Sequence, residues 1–138
     1  MPIDDEGTIL SALQQAVTAA VAASTDPTLS VKYLDVAHTI PASQKWLELV
    51  HIPNNRTGDF WSNNQMHQGI FRLILHWPNE GAGIYSPLAL LGSVGGYFSV
   101  GQNLSGVQIY EIPGFTGALR EGNETLYPMS IRYRSYRT

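Results

Sequence analysis

Residues Gln68 to Trp77 alternate so regularly that an extended backbone is the only simple way to lay them out. Phe71, Leu73, Leu75 and Trp77 then line one side, and Ile70, Arg72, Ile74 and His76 the other. Both sides are partly apolar, which predicts a strand inside a sheet rather than at its edge. Pro78-Asn79-Glu80-Gly81 closes it with a turn.

Other segments supply its neighbours. Lys45 to Ile52 reads as a strand through Trp46, Leu47, Leu49, Val50 and Ile52, and Ser30 to Val36 and Val107 to Ile112 read as shorter ones. Thr125 to Tyr136 reads as the last strand, with Tyr127, Met129, Ile131 and Tyr133 alternating with Pro128, Ser130, Arg132 and Arg134. Pro128 donates no backbone hydrogen bond, so it is expected at a strand end, an edge or a bulge.

Two helices complete the pattern. From Asp5 to Ser24, Ile9, Leu13, Val17 and Val21 fall four apart and Ala20 joins their stripe. Asp4, Asp5 and Glu6 stand where a helix dipole favours anions, and Thr25-Asp26-Pro27 ends the run. Its other face, Ser11, Gln14, Thr18, Ala19, Ala22 and Ala23, is small and uncharged. It fits either a close-approach surface for another backbone or a merely Ala-rich helix. The second helix runs from Tyr85 or Ser86 to Phe98, with Pro87 in its first turn and a stripe of Leu88, Leu91, Val94 and Phe98. Gly92, Gly95 and Gly96 weaken it by about 1 kcal/mol each relative to Ala, and fit tight helix–sheet packing better than chemistry. The order α-β-β-β-α-β-β predicts an α+β fold, a mostly antiparallel sheet with two helices packed on it, as one domain over 1–138. No internal repeat interrupts it.

Composition narrows the function. The 138 residues hold no cysteine, which excludes disulfides, thiol catalysis and Cys-ligated metal. Charged residues make up 14% of the chain, against about 25% in ordinary soluble domains. A folded chain of this mass exposes about 7,100 Å², so its eight basic and eleven acidic residues leave roughly one charge per 370 Å². That scarcity fits a surface partly covered by other chains, or a neutral polar surface that dissolves well enough. A net charge of −3 argues against a general nucleic-acid binder. The uncharged stretches Gly7 to Thr25 and Gly81 to Tyr110 hold too many polar and breaker residues for a membrane span. The acidic start predicts no secretory leader and a protein that stays in the cytoplasm until something carries it out.

Catalytic motifs are missing. Gly92-Ser93-Val94-Gly95-Gly96 lacks the Lys-Ser/Thr of a phosphate-binding loop, and there is no nucleophile elbow or His-Glu-x-x-His. His38, His51, His67 and His76 are the imidazoles. His76 shares a strand face with Arg72, and His51 is expected to lie across from it. Two histidines without a third ligand make a poor metal site. Glu48 and Glu111 fall on predicted strands, where an exposed face explains them more simply than acid–base chemistry. No enzymatic activity, cofactor or metal is expected. Asn55-Arg56-Thr57, Asn103-Leu104-Ser105 and Asn123-Glu124-Thr125 have the form of glycosylation triplets but, without a secretory route, serve only as loop markers.

Two places fit a partner. Pro53 to Met66 is long and aperiodic, and places Phe60 and Trp61 among Asn, Gly and Ser beside Arg56. Those aromatics either anchor another chain or fold back on their own core. Near the C-terminus, Arg132 and Arg134 share a strand face about 7 Å apart, with Arg120 upstream and Arg137 beyond. They suit carboxylates of a neighbouring subunit, DNA phosphates, or a solvated edge that discourages strand pairing. The acidic net charge favours protein over DNA.

From Trp46 onward the sequence resembles the tail terminator-like proteins of long-tailed phages and gene transfer agents. The resembling runs are Lys45-Trp46-Leu47-Glu48-Leu49-Val50-His51-Ile52-Pro53, Gln68-Gly69-Ile70-Phe71-Arg72-Leu73-Ile74-Leu75, Trp77-Pro78 with Gly81 and Gly83, and the closing Tyr127-Pro128-Met129-Ser130-Ile131-Arg132-Tyr133-Arg134. That family's ending is similar: Pro, an aliphatic residue, Ser-Ile, any residue, Tyr-Arg. The resemblance covers about two thirds of the chain. Departures are the second helix, which tends to be Ala/Asp-rich in the family, and Ala37 to Ser43, which has no counterpart. The resemblance implies a virion protein, a ring of six copies capping the head-proximal end of the tail tube. Such a ring stops tube growth and meets the head–tail connector, with DNA passing non-specifically through its lumen. A neck or connector protein of the same particle is the alternative. A small ligand-binding α+β domain using His51, His76 and Glu48 is a more distant one. Arg56, Phe60, Trp61, Arg132 and Arg134 are the expected protein-interface residues.

Overall fold

Two strands of fourteen residues, β4 (Gln65–Pro78) and β9 (Glu124–Arg137), lie side by side over their whole length and form the spine of the sheet. The computed structural model describes residues 2–53, 57–58, 65–79 and 83–137. Antiparallel pairing sets Leu73 against Met129, Phe71 against Ile131 and Gly69 against Tyr133. On the far side of β4 lies β2 (Trp46–Pro53), with Leu49 opposite Leu73 and Trp46 opposite His76. Beyond β2 comes β1 (Ser30–Lys32), the parallel member of an otherwise antiparallel set of pairings. A two-residue strand, β3 (Thr57–Gly58), also pairs with β4.

The other side of β9 is taken by one run of chain in three pieces: β6 (Val107–Ile109), β7 (Gly114–Phe115) and β8 (Leu119–Glu121). A two-residue strand, β5 (Asn103–Leu104), pairs with β6 through a tight turn at Ser105 and Gly106, whose φ values of 52° and 92° are those a twisted hairpin needs. The sheet order is β1-β2-β4-β9-β6-β5.

Helix α1 (Pro2–Ala22) buries Ile9, Leu13, Ala16, Val17, Ala20 and Val21, the predicted stripe with one further alanine. Helix α2 (Tyr85–Gly95) buries Pro87, Leu90, Leu91 and Val94. All of these except Pro87 join one core with Leu47, Leu49, Phe71, Leu73, Leu75, Tyr127, Met129, Ile131 and Tyr133. The α+β class stands, with a mixed sheet.

Several details differ from the sequence reading. Helix α2 stops at Gly95, not Phe98. Gly96 makes the last four-residue hydrogen bond, to Gly92, and Tyr97 and Phe98 follow with tighter three-residue ones. Phe98 is nonetheless fully buried, reached from that turn. Of the three glycines, Gly95 is the one packed against the sheet: an added Cβ would stand 2.6 Å from Met129 Sδ, whereas at Gly92 it would meet nothing. The first strand ends at Lys32 rather than Val36, because the chain turns aside at Asp35 with φ 53°. Glu111 lies past the end of β6 and not on a strand.

Pro128 is inside a central strand, opposite Ile74, rather than at an edge, end or bulge. The outer neighbour of β9 is interrupted there, between β7 and β8, and the Pro128 carbonyl accepts a hydrogen bond from Thr116 N at 3.4 Å.

Candidate functional site

Pleating divides the sheet residues between two faces. One face is the core. The other carries Trp46, Glu48, Val50 and Ile52 from β2, Ile70, Arg72, Ile74 and His76 from β4, and Leu126, Pro128, Ser130, Arg132 and Arg134 from β9. None of these belongs to the core cluster that holds the helices. The second face is therefore free of the core helices, although Trp46, His76 and Ser130 are buried on it, and its charges are sorted along its length.

At one end, His76 is buried between two carboxylates. Its Nε2 is 2.8 Å from Glu48 Oε1 and its Nδ1 is 3.1 Å from Glu124 Oε1. The ring stacks on Trp46, and His38 packs on that indole from the 33–45 crossover, its Nε2 2.7 Å from Ser30 Oγ. At the other end three arginines occupy successive rungs. Arg72 Nε donates to Ser130 Oγ across the ladder at 3.3 Å. Arg132 Nε lies 3.2 Å from Glu111 Oε2, and both side chains are about half exposed. Arg134 Nε donates to Gln108 Oε1 at 3.1 Å, with its guanidinium over the Tyr110 ring. Ten residues of strand separate Glu124 from Arg134, about 33 Å.

Arg132 and Arg134 thus share the expected face. Arg72 completes their patch, a membership readable in the Ile70, Arg72, Ile74 alternation once the two strands are paired. Arg56, Phe60 and Trp61 lie outside the described residues.

The two histidines expected to face each other do not. His51 is opposite Phe71 on the core face, while His76 is on the other, so no shared cleft joins them with Glu48. His51 Nε2 meets the Tyr133 hydroxyl at 2.5 Å. Burial lowers the His51 pKa, only partly offset by the Glu6 carboxylate, and burial with the same carboxylate raises that of Tyr133 well above its ordinary value. A second buried polar contact was not foreseen: His67 Nδ1 lies 2.8 Å from Glu6 Oε1, fastening the first turns of α1 to β4. Among the described residues, no three His, Asp or Glu side chains are placed to hold a metal ion. Among the same residues, no helix is long and apolar enough to cross a membrane.

The outer face of α1 is partly occupied by the chain itself. Gln14 Oε1 accepts from Leu34 N at 3.0 Å, and Thr18 Oγ1 meets the Tyr33 hydroxyl at 2.6 Å. These contacts run through the Gln14 and Tyr33 side chains, with a groove of about 590 Å³ between α1 and residues 33–36.

An α+β sheet with one face under helices and one face without them, its charges sorted end to end, suits a structural protein that meets other chains broadly. The family model of phage tail terminator proteins matches residues 8–133, and the chain belongs to that family, a structural component of the phage tail. Two solved structures share the fold. One, without a descriptive name, has a TM-score of 0.74 at 19% identity over 94% of both chains. The other is a chain from the virion of a native gene transfer agent particle, with a TM-score of 0.59 at 18% identity over 94% of this chain and 98% of that one. No curated protein matches the sequence.

Proposed function

We propose that this protein assembles as a closed ring, of six copies, on the head-proximal end of a phage tail tube. There it ends tube polymerisation and offers its outer surface to the head–tail connector. The observation that carries the reading is the tail-terminator match over residues 8–133. The scarcity of charge and the helix-free sheet face support it, since both suit a protein whose exterior is shared. Termination follows if one ring face imitates a tube subunit and the other cannot accept the next. Ring closure itself needs head-to-tail contacts between different patches of identical copies. In this reading Arg56, Phe60 and Trp61 reach a neighbour or an axial partner, and Arg132 and Arg134 serve a polar interface. DNA passes the lumen without sequence-specific contact.

Native mass spectrometry of the chain with and without tail-tube protein tests this. A closed oligomer, alone or formed on tube ends whose growth then stops, is the expected result. A chain that stays monomeric in the presence of growing tubes overturns the proposal.

A further inference from the structure

Charge divides the helix-free face in two. Glu48 and Glu124 stand on one side of the Leu49–Leu73–Met129 rung, and Arg72, Arg132 and Arg134 on the other. Among them are apolar side chains that neither helix covers: Ile52 is exposed, and Val50, Ile70, Ile74, Leu126 and Pro128 are half-buried. A sheet face of this kind can pack on a second sheet about 10 Å away.

The charged groups keep capacity for an outside partner. Glu48 and Glu124 each meet His76 through Oε1. Arg72 and Arg134 are held through Nε, by Ser130 and Gln108, and the contact of Arg132 with Glu111 also runs through Nε. The second carboxylate oxygens and the terminal guanidinium nitrogens are the atoms left for paired hydrogen bonds to another chain. The division of charge also selects the partner. A nucleic acid lying along the strands would meet Glu48 and Glu124 as well as the arginines, since its charge has one sign throughout. A fitting partner presents guanidinium to one half and carboxylates to the other, in the opposite order and over the same length.

We infer that the helix-free face pairs with the same face of a second copy of this chain, strands antiparallel, about a two-fold axis that crosses the strands at the Leu49–Leu73–Met129 rung. Such an axis carries the position five residues before Met129 onto the one five residues after it, so Glu124 comes over Arg134 of the second copy. The rung of Glu48 comes over the rung of Val50, Arg72 and Ser130, which brings Glu48 beside Arg72 of the second copy. Each contact occurs twice, and the apolar residues close on one another between them. Acid over acid, the result of the parallel arrangement, is disfavoured by the same charges. Three strands about 4.8 Å apart over about 33 Å give a patch of about 480 Å² per copy, less than the roughly 800 Å² of a standard interface. The pair is therefore weak and reversible. It closes at two copies, so it is not the contact that makes the ring. It goes beyond the ring reading, and it must part before the arginines meet another protein.

Sedimentation equilibrium of the chain alone, from about 10 μM to about 1 mM, should show a monomer–dimer equilibrium that weakens with added salt. Arg134→Glu and Glu124→Arg should each lose the dimer, because each sets like charges over one another twice. An equal mixture of the two variants should regain it as a heterodimer, and so should the chain that carries both substitutions. A cross-link gives an independent arm. Pro128→Cys places one thiol close to the axis in a chain without natural cysteine, and a short bis-maleimide should couple two copies of this one variant. Adding Arg134→Glu to it should abolish the product, which decides the matter even if Glu124→Arg fails to fold. A wild-type chain that stays monomeric over this range overturns the inference. So does a dimer that survives the single substitutions, or a monomer that instead retains duplex DNA through its arginines. A ring on tube ends from a chain that never dimerises overturns the inference and leaves the ring reading standing; a dimer that never builds a ring on tube ends does the reverse.

Discussion

The indole of Trp46 lies flat on the imidazole of His76, with ring centroids 3.7 Å apart and planes within 8°. Cross-strand pairing puts the two residues directly opposite, and Glu48 and Glu124 then close on the two ring nitrogens. One side chain thereby ties β2, β4 and β9 together on the helix-free face. Replacing it, His76→Leu, keeps an apolar contact for Trp46 but leaves two carboxylates without their shared partner. A loss of about 1–3 kcal/mol in urea unfolding is expected. His76→Gln, which retains polar atoms near both, should lose less.

Gly69 leaves no room for a side chain between β2 and Tyr133. An added Cβ at Gly69 would stand 2.7 Å from the Ile52 carbonyl oxygen and 2.9 Å from the Tyr133 hydroxyl. The first obstacle is backbone and cannot swing away. Gly69→Ala should cost about 1–3 kcal/mol by overpacking and disturb the His51–Tyr133 contact. A thermal midpoint equal to that of the wild type would show that β2 and β4 have room to separate.

The alternation of Gln68–Trp77 and Thr125–Tyr136 made both central strands legible, because one period-two pattern fixes both the backbone and the buried face. Helix α1 was legible for the same reason at period 3.6. The short strands β5, β7 and β8 were not, since two or three residues carry no period, and their place depends on β9 lying alongside. The position of Pro128 was misjudged because a sequence does not tell which partner of a central strand is interrupted. The relation of His51 to His76 was missed by parity: 51 and 76 pair with residues on opposite faces, a consequence of register alone. The three-arginine patch was half legible, because it needs Arg72 and Arg132 to be brought together by strand pairing.

Stability should carry a signature of His51. Burial lowers its pKa in the fold, so between that value and the ordinary one of about 6.5 the unfolded chain binds more protons than the folded one. Its contribution is complete above about 6.5 and falls as the pH drops toward the lowered value. The quantity to follow is a difference, which isolates this residue from the rest of the chain. The stability advantage of the wild type over His51→Gln, measured by denaturant unfolding from about pH 7.5 to about pH 5.5, should shrink on acidification. An advantage that grows instead would mean that the Glu6 carboxylate outweighs burial.

Phe60 and Trp61 fall in the polar run between Pro53 and Met66 and are proposed as partner anchors rather than core. On that reading their replacement by Ser should leave the cooperative unfolding transition in place. Assembly on tube ends, followed by electron microscopy of tail length, should fail. A double variant that does not fold would assign both aromatics to the core and remove them from the interface.

Arg132 and Arg134 give the sharpest separation of fold from function. Both stand on the helix-free face, and the contacts of Arg132 with Glu111 and of Arg134 with Gln108 are partly exposed polar ones of small energetic weight, about 1 kcal/mol or less each. Reversal to Arg132→Glu with Arg134→Glu adds a mild repulsion against Glu111, yet leaves Ile131, Tyr133 and Ser135 buried on the other side of the strand. The expected result is a folded protein with near-native unfolding that no longer joins tails to heads, scored as free tails and filled heads in electron micrographs. The single Arg132→Gln variant, which removes one charge without reversing it, should show an intermediate defect. If joined particles form at the wild-type yield with both charges reversed, the basic end of this face plays no part in docking, and the interface must be sought at the sheet margins instead.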